Sequence, residues 1–166
     1  MRKRASALES GGDARLLCAV HSDRIAAGIT SGVLAASATA GAMVGFGLRL
    51  GAPARPFNAI AALLLGANAQ ALHGFAAAAT PLGILLHIVV TIGLGIVYVA
   101  LFARSGRHPV LWAAAVAAVA LGATLLVARL FGVGLAALLP TGNLIALTVV
   151  LALALATGMR FALSRV

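Results

Sequence analysis

Apolar residues run in long blocks along this 166-residue chain and are separated by short polar breaks. A helix needs about 20 mostly apolar residues to cross a bilayer. After a polar segment at residues 1–23, blocks of that length are predicted at about residues 24–48, 80–103, 109–131 and 142–161. The pattern therefore predicts an all-α membrane protein, in which residues 24–166 form a single domain built as a four-transmembrane-helix bundle.

A further apolar stretch, residues 57–79, is interrupted by Asn58, Asn68, Gln70 and His73. With four spans and a cytoplasmic N-terminus, nine basic residues lie inside and three outside, in accordance with the positive-inside rule. If this stretch also crossed, the split would become six against six. We therefore predict a helix at about residues 57–76 that lies in the outer interface or re-enters from it, with Asn58 as its N-cap. Both chain termini are then cytoplasmic.

The composition excludes several classes of protein. Hydrophobic residues make up 63% of the chain and charged residues only 9%, about a third of the share in soluble domains. This excludes a soluble globular enzyme, a disordered chain and, with Cys18 as the single cysteine, a disulfide scaffold. The net charge of +9 comes from arginines that flank the apolar blocks, so it does not indicate nucleic-acid binding.

Acidic residues are confined to the start of the chain, since the last of the three is Asp23. A membrane carboxylate usually carries proton- or sodium-coupled transport, and carboxylates also serve metal sites and acid–base catalysis. The sequence therefore predicts no catalytic residue, no metal and no cofactor. A haem held by His73 and His87 is disfavoured because Gly74 and Pro81 interrupt the helix between them.

Small residues recur at helical spacing along the predicted spans. Helices in lipid associate through close backbone approach, which small residues permit. The candidate packing residues are Gly28, Gly32, Ala36 and Ala40 on one ridge of the first span, Ser37, Gly41 and Gly45 on another, Gly83 and Gly95 on the second span, and Ala114, Ala118 and Gly122 on the third. We expect these faces to point into a compact bundle.

An intramembrane polar site is predicted at His87, Thr91 and Tyr98, which share one face of the second span with Gly83 and Gly95. An ionisable residue inside a span is a functional candidate by default. The alternative is a neutral imidazole that hydrogen-bonds a hydroxyl or a carbonyl of a neighbouring helix. Tyr98 either anchors the inner interface or turns inward with His87.

Three arginines, Arg49, Arg55 and Arg129, lie on the predicted outer side. Each can snorkel to the head groups. Together they are candidate contacts for an anion or a lipid phosphate at the outer interface.

Residues 55–101 carry a resemblance to a known family. The segments are RPFNAIAALLLGANA, with a Pro-x-Asn-Ala pattern, then TPLGILLH, with Gly83 four residues before His87, and then YVAL. They resemble a family of small uncharacterised bacterial inner-membrane proteins. The resemblance implies a bacterial cytoplasmic membrane and no known activity.

Three functions remain open from the sequence. The first is a non-enzymatic accessory or structural subunit that packs against other membrane proteins or against itself. The second is a small transporter or channel component that oligomerises around the His87, Thr91 and Tyr98 face. The third is a lipid-acting enzyme that uses His87 or His73 with the outer arginines, which we rank last because no nucleophile–base pair is visible.

Overall fold

A computed structural model describes the backbone of residues 5–105 and 108–163, and the side chains of residues 23–105 and 108–162. The basic residues at positions 2–4, Arg107 and Arg165, which enter the charge count above, lie outside the described residues. These ranges contain seven helices and no strand. They are α1 (Ala5–Arg49), α2 (Arg55–Leu65), α3 (Ala67–Gln70), α4 (Ala79–Ser105), α5 (Pro109–Phe131), α6 (Leu135–Leu138) and α7 (Thr141–Leu163).

Four segments of these helices are long and apolar enough to cross a membrane: Asp23–Arg49, Ala79–Ser105, Pro109–Phe131 and Thr141–Ala162. The all-α, four-span architecture is therefore confirmed. The predicted bounds lie within two residues of the following helix ends: Arg49, Ala79, Ser105, Pro109, Phe131 and Thr141. The residues at the two ends of α5 explain its bounds. Pro109 occupies its first turn, and Gly132 ends it in the left-handed region, with φ of 68°.

Helix α1 is the centre of the bundle. It packs along α4 on one side and along α7 on the other, while α5 packs mainly on α7. Consecutive helices α4 and α5 touch only sparsely. The largest buried cluster lies where α1, α4, α5 and α7 meet, around Tyr98, Ala113 and Leu155.

The segment between the first two spans differs from the predicted single helix at residues 57–76. Helix α2 has 11 residues, which is about 16 Å at 1.5 Å per residue and too short to cross a hydrocarbon core of ~30 Å. It ends at Gly66, whose φ of 81° suits glycine and disfavours other residues, and α3 adds only four residues. Helix α2 packs on α4 and on α6, and Ala69 of α3 joins the buried cluster that α2 forms with Ala79 and Val133.

The N-cap predicted at Asn58 is wrong. Ala54 occupies the cap position of α2, and Asn58 lies inside the helix with its side chain fully buried. Its Nδ2 donates to the carbonyl oxygens of Leu72 and Gly74, both at 3.0 Å, and its Oδ1 accepts from Thr80 Oγ1 at 2.7 Å. A buried amide needs such partners. Asn58 therefore fixes the path of the chain from α3 into α4.

Candidate functional site

His87 lies at the contact between α4 and α1. Its Nε2 is 3.0 Å from Thr39 Oγ1 and 3.2 Å from the carbonyl oxygen of Ala36. Its ring meets the ring of Phe57 edge to face, with centroids 6.3 Å apart. The geometry agrees with the predicted alternative of an imidazole that bonds a hydroxyl and a carbonyl of a neighbouring helix.

A cavity of about 360 Å³ opens beside His87, in the space where α4 and α5 separate. Its lining is mostly apolar and comes from α2, α4, α5, α6 and α7 together with Thr39 of α1. Five side chains add polar atoms to this lining: Thr39, His87, Thr91, Thr124 and Thr148. Small-molecule pockets usually have volumes of about 300–1,000 Å³, so this cavity is of ligand size.

The three residues of the predicted polar site are not brought together. Thr91 is buried one turn from His87 and donates to the His87 carbonyl oxygen at 2.6 Å. Tyr98 is eleven residues from His87, about 16 Å along the helix, and does not line the cavity. It is fully buried in the cluster around Leu155, so it turns inward. None of the described residues hydrogen-bonds its hydroxyl group.

Glycines make the α1–α4 contact close. A Cβ added at Gly28 or Gly32 would collide with the backbone of Ile96 or Ile92, and one added at Gly95 would collide with the carbonyl oxygen of Gly28. These three predicted packing residues therefore bring two helix backbones together. Gly83 does the same for α2, because its Cβ would overlap the carbonyl group of Phe57. That approach brings Phe57 to the ring of His87.

Most of the other predicted packing residues point away from the bundle, whereas Ala36 is buried and Ala40 is half-buried. Gly41 and Gly45 are exposed, and a Cβ at either would meet nothing within 4 Å. Within this chain, the prediction that they pack helices is wrong. On α5, Ala114, Ala118 and Gly122 are exposed as well, and the buried residues of that helix are Ala113, Val116 and Ala117.

The three candidate arginines lie on three different helices. Arg49 and Arg129 are exposed in the last turns of α1 and α5, and Arg55 begins α2. Since consecutive spans alternate in direction, all three lie on the same side of the bundle. Arg55 is half-buried, and its Nε has no hydrogen-bond partner among the described residues.

Sequence reasoning missed two contacts that hold this region. Thr39, the partner of His87, lies on the same side of α1 as Gly28 and Gly32, and that register was the available signal. Ser31 donates to the Leu155 carbonyl oxygen at 2.7 Å, beside Gly158, where a Cβ would collide with Ser31. The α1–α7 contact had a signal of the same kind, because Ala154 lies four residues before Gly158 and both are buried.

Within the described ranges, no three His, Cys, Asp or Glu side chains are grouped so as to hold a metal ion. Comparison of the chain with protein families, curated proteins and solved structures finds no match. The geometry of the site is therefore the guide to its chemistry. It offers an apolar cavity with a few hydrogen-bonding atoms, at the depth of His87 in a predicted membrane span.

Proposed function

We propose that this chain is a non-enzymatic accessory subunit of the bacterial cytoplasmic membrane, with both termini in the cytoplasm, and that it packs against another membrane protein. The observation that carries the proposal is the second ridge of α1. Ser37, Gly41 and Gly45 are exposed at membrane depth, and a Cβ at either glycine meets open space. In lipid, such a ridge allows a foreign helix to approach closely.

The two ridges of α1 have different roles in this proposal. Gly41 follows Gly32 by nine residues, which at 100° per residue places it half a turn away around the helix. The ridge with Gly28 and Gly32, the inner ridge, is covered by α4. On the ridge with Ser37, Gly41 and Gly45, the outer ridge, a Cβ at either glycine would meet no described residue within 4 Å. Leu34 and Leu48 lie on the outer ridge as well and are 41% and 62% exposed, so the ridge has apolar side chains at both ends.

The proposed cytoplasmic location of both termini rests on the nine-to-three distribution of basic residues. The proposed bacterial membrane rests on the resemblance of residues 55–101 to the family named above. The transporter alternative ranks second. It needs the face of His87, Thr91 and Tyr98 to line a path between copies, whereas these residues contact α1 or the core of their own chain.

Site-specific photocrosslinking in the native membrane tests the accessory role. A photoreactive phenylalanine analogue replaces Leu34 on the outer ridge, and a matched control replaces Val149, which is 51% exposed at similar depth on α7. We expect a discrete product with a second, different chain from position 34 and none from position 149. The further change Gly41→Leu is expected to abolish that product.

Equal products from both positions, or a product that is insensitive to Gly41→Leu, would contradict the proposal. A crosslinked product of twice the chain mass would show that the outer ridge binds a second copy of this chain and not a different protein. The variant Gly93→Leu is the control for adding a leucine to a span, because a Cβ at Gly93 also meets open space but lies on α4.

A further inference from the structure

We propose that the cavity between α4 and α5 binds a neutral lipid that carries a hydroxyl group, with the hydroxyl donating a hydrogen bond to Nδ1 of His87. The proposal is independent of the outer ridge of α1, since the cavity is reached from the opposite side of that helix. It rests on which polar atoms of the cavity lining can donate a hydrogen bond and which can accept one.

The proton of His87 can be assigned from its neighbours. Nε2 lies within hydrogen-bonding distance of the carbonyl oxygen of Ala36, which can only accept. The Thr39 hydroxyl donates to the carbonyl oxygen of Ala35 at 2.7 Å and therefore accepts from His87. Both contacts require the proton on Nε2. In a neutral imidazole Nδ1 is then an acceptor, and none of the described residues pairs with it.

The threonine hydroxyl groups that line the cavity already donate their hydrogen bonds within the protein. Each hydroxyl donates to the carbonyl oxygen four residues earlier in its own helix. The pairs are Thr39 with Ala35 at 2.7 Å, Thr91 with His87 at 2.6 Å, Thr124 with Ala120 at 2.8 Å and Thr148 with Leu144 at 2.8 Å. The polar atoms that remain in the lining are therefore acceptors.

Because the remaining polar atoms of the lining are acceptors, a ligand that fits them must supply a hydrogen-bond donor. A carboxylate, a phosphate or a ketone brings acceptors only and would leave Nδ1 of His87 without a donor, which is costly in an apolar site. An ammonium group brings donors, but none of the described residues that line the cavity is a carboxylate that could balance its charge. A hydroxyl brings one donor without charge, and the apolar side chains around it suit an alkyl chain.

The geometry of the opening supports a ligand that comes from the bilayer. The cavity lies between two spans that touch only sparsely, and Val119 on its rim is 70% exposed. A chain can therefore enter sideways from the lipid. Two sources offer the required chemistry: a single-chain alcohol, and a diacylglycerol with its free hydroxyl.

Photolabelling of the full-length protein in phosphatidylcholine vesicles tests the site. The probe is 1-hexadecanol with a diazirine in mid-chain, and the matched control is its methyl ether, which lacks the donor. One neutral hydrogen bond corresponds to about a fivefold ratio in occupancy. We expect the alcohol to label the lining of α5 about fivefold more than the ether. Competition by unlabelled hexadecanol or by dioleoylglycerol then identifies the source.

Three variants complete the test. His87→Phe keeps an aromatic ring but removes both ring nitrogens, and is expected to bring the alcohol-to-ether ratio to about one. His73→Phe, outside the cavity, is expected to leave the ratio unchanged. Ala120→Phe fills the cavity, retains every polar group and is expected to reduce both labels. A ratio of one in the unmodified protein overturns the proposal, as does a ratio that persists in His87→Phe.

Discussion

Helix α4 has two neighbours along the chain of spans, and it meets them in opposite ways. Towards α1, three glycines present no side chain, and the two backbones approach closely at these positions. Towards α5, the next helix in sequence, the contact is sparse and a cavity of about 360 Å³ lies between the two helices. Adjacency in sequence therefore does not decide packing in this bundle. The distribution of small residues decides which pair of helices closes and which pair stays apart.

The largest effect is expected from Gly95→Leu, which inserts a side chain into the closed contact against the backbones of Gly28 and Gly32. Overpacking against a rigid neighbour should cost about 3 kcal/mol of unfolding free energy. The matched control is Gly93→Leu, which adds the same group two residues away into open space. Reversible unfolding by SDS in mixed micelles measures both. Equal losses in the two variants would mean that the closed contact does not determine stability.

Asn58→Ala is expected to come next, at about 2 kcal/mol, because two carbonyl groups and the Thr80 hydroxyl lose a buried partner together. Asn68→Ala removes the same side chain from an exposed position nearby and should have little effect. Thermal unfolding reports the difference, and proteolysis between residues 66 and 78 should accelerate only in the Asn58 variant. If Asn68→Ala costs as much, the buried network does not hold the segment.

Thr39→Val removes the hydroxyl that joins α1 to His87, at the edge where the closed contact borders the cavity. Interhelical hydrogen bonds in membranes average about 0.6 kcal/mol, and we expect a loss of that size. Thr30→Val is the control, since the Thr30 hydroxyl is exposed and bonds only its own helix. A double-mutant cycle with His87→Phe should return the same coupling energy. Additive losses would show that the bond contributes nothing to stability.

The smallest effect on stability is expected from Gly41→Leu, which should change the unfolding free energy by no more than about 0.5 kcal/mol. On the inner ridge, Gly32→Leu meets the Ile92 backbone and should destabilise strongly. Comparing the unfolding free energies of Gly41→Leu and Gly32→Leu shows how differently the outer and inner faces of α1 tolerate a leucine. A large loss in Gly41→Leu would place that residue inside the fold.

The sequence predicts the spans well because length and hydropathy decide whether a segment can cross a membrane. It predicts the inner face of α1 less well. Gly32 and Gly41 both belong to regular small-residue ridges, half a turn apart, and nothing in the spacing states which one faces inward. In a soluble bundle the polar face would resolve this, whereas in lipid both faces are apolar.

Two further features could not be predicted for a different reason. Asn58 resembles an N-cap in sequence, because a polar residue follows Pro56 at the start of an apolar run. Its real partners are carbonyl groups that become available only when the chain beyond Gly66 leaves the helix. The cavity beside His87 is a space that remains after α1, α5 and α7 have packed, so it has no local sequence signal.

The bond between Ser31 and the Leu155 carbonyl oxygen joins the first span to the last. During synthesis, α1 is complete more than 100 residues before α7, which at 5–20 residues per second is on the order of ten seconds. Throughout that interval the groove of α1 that later receives Gly158 has no partner from its own chain. The order of translation thus leaves this face of the central helix uncovered by α7 until the last span has been made.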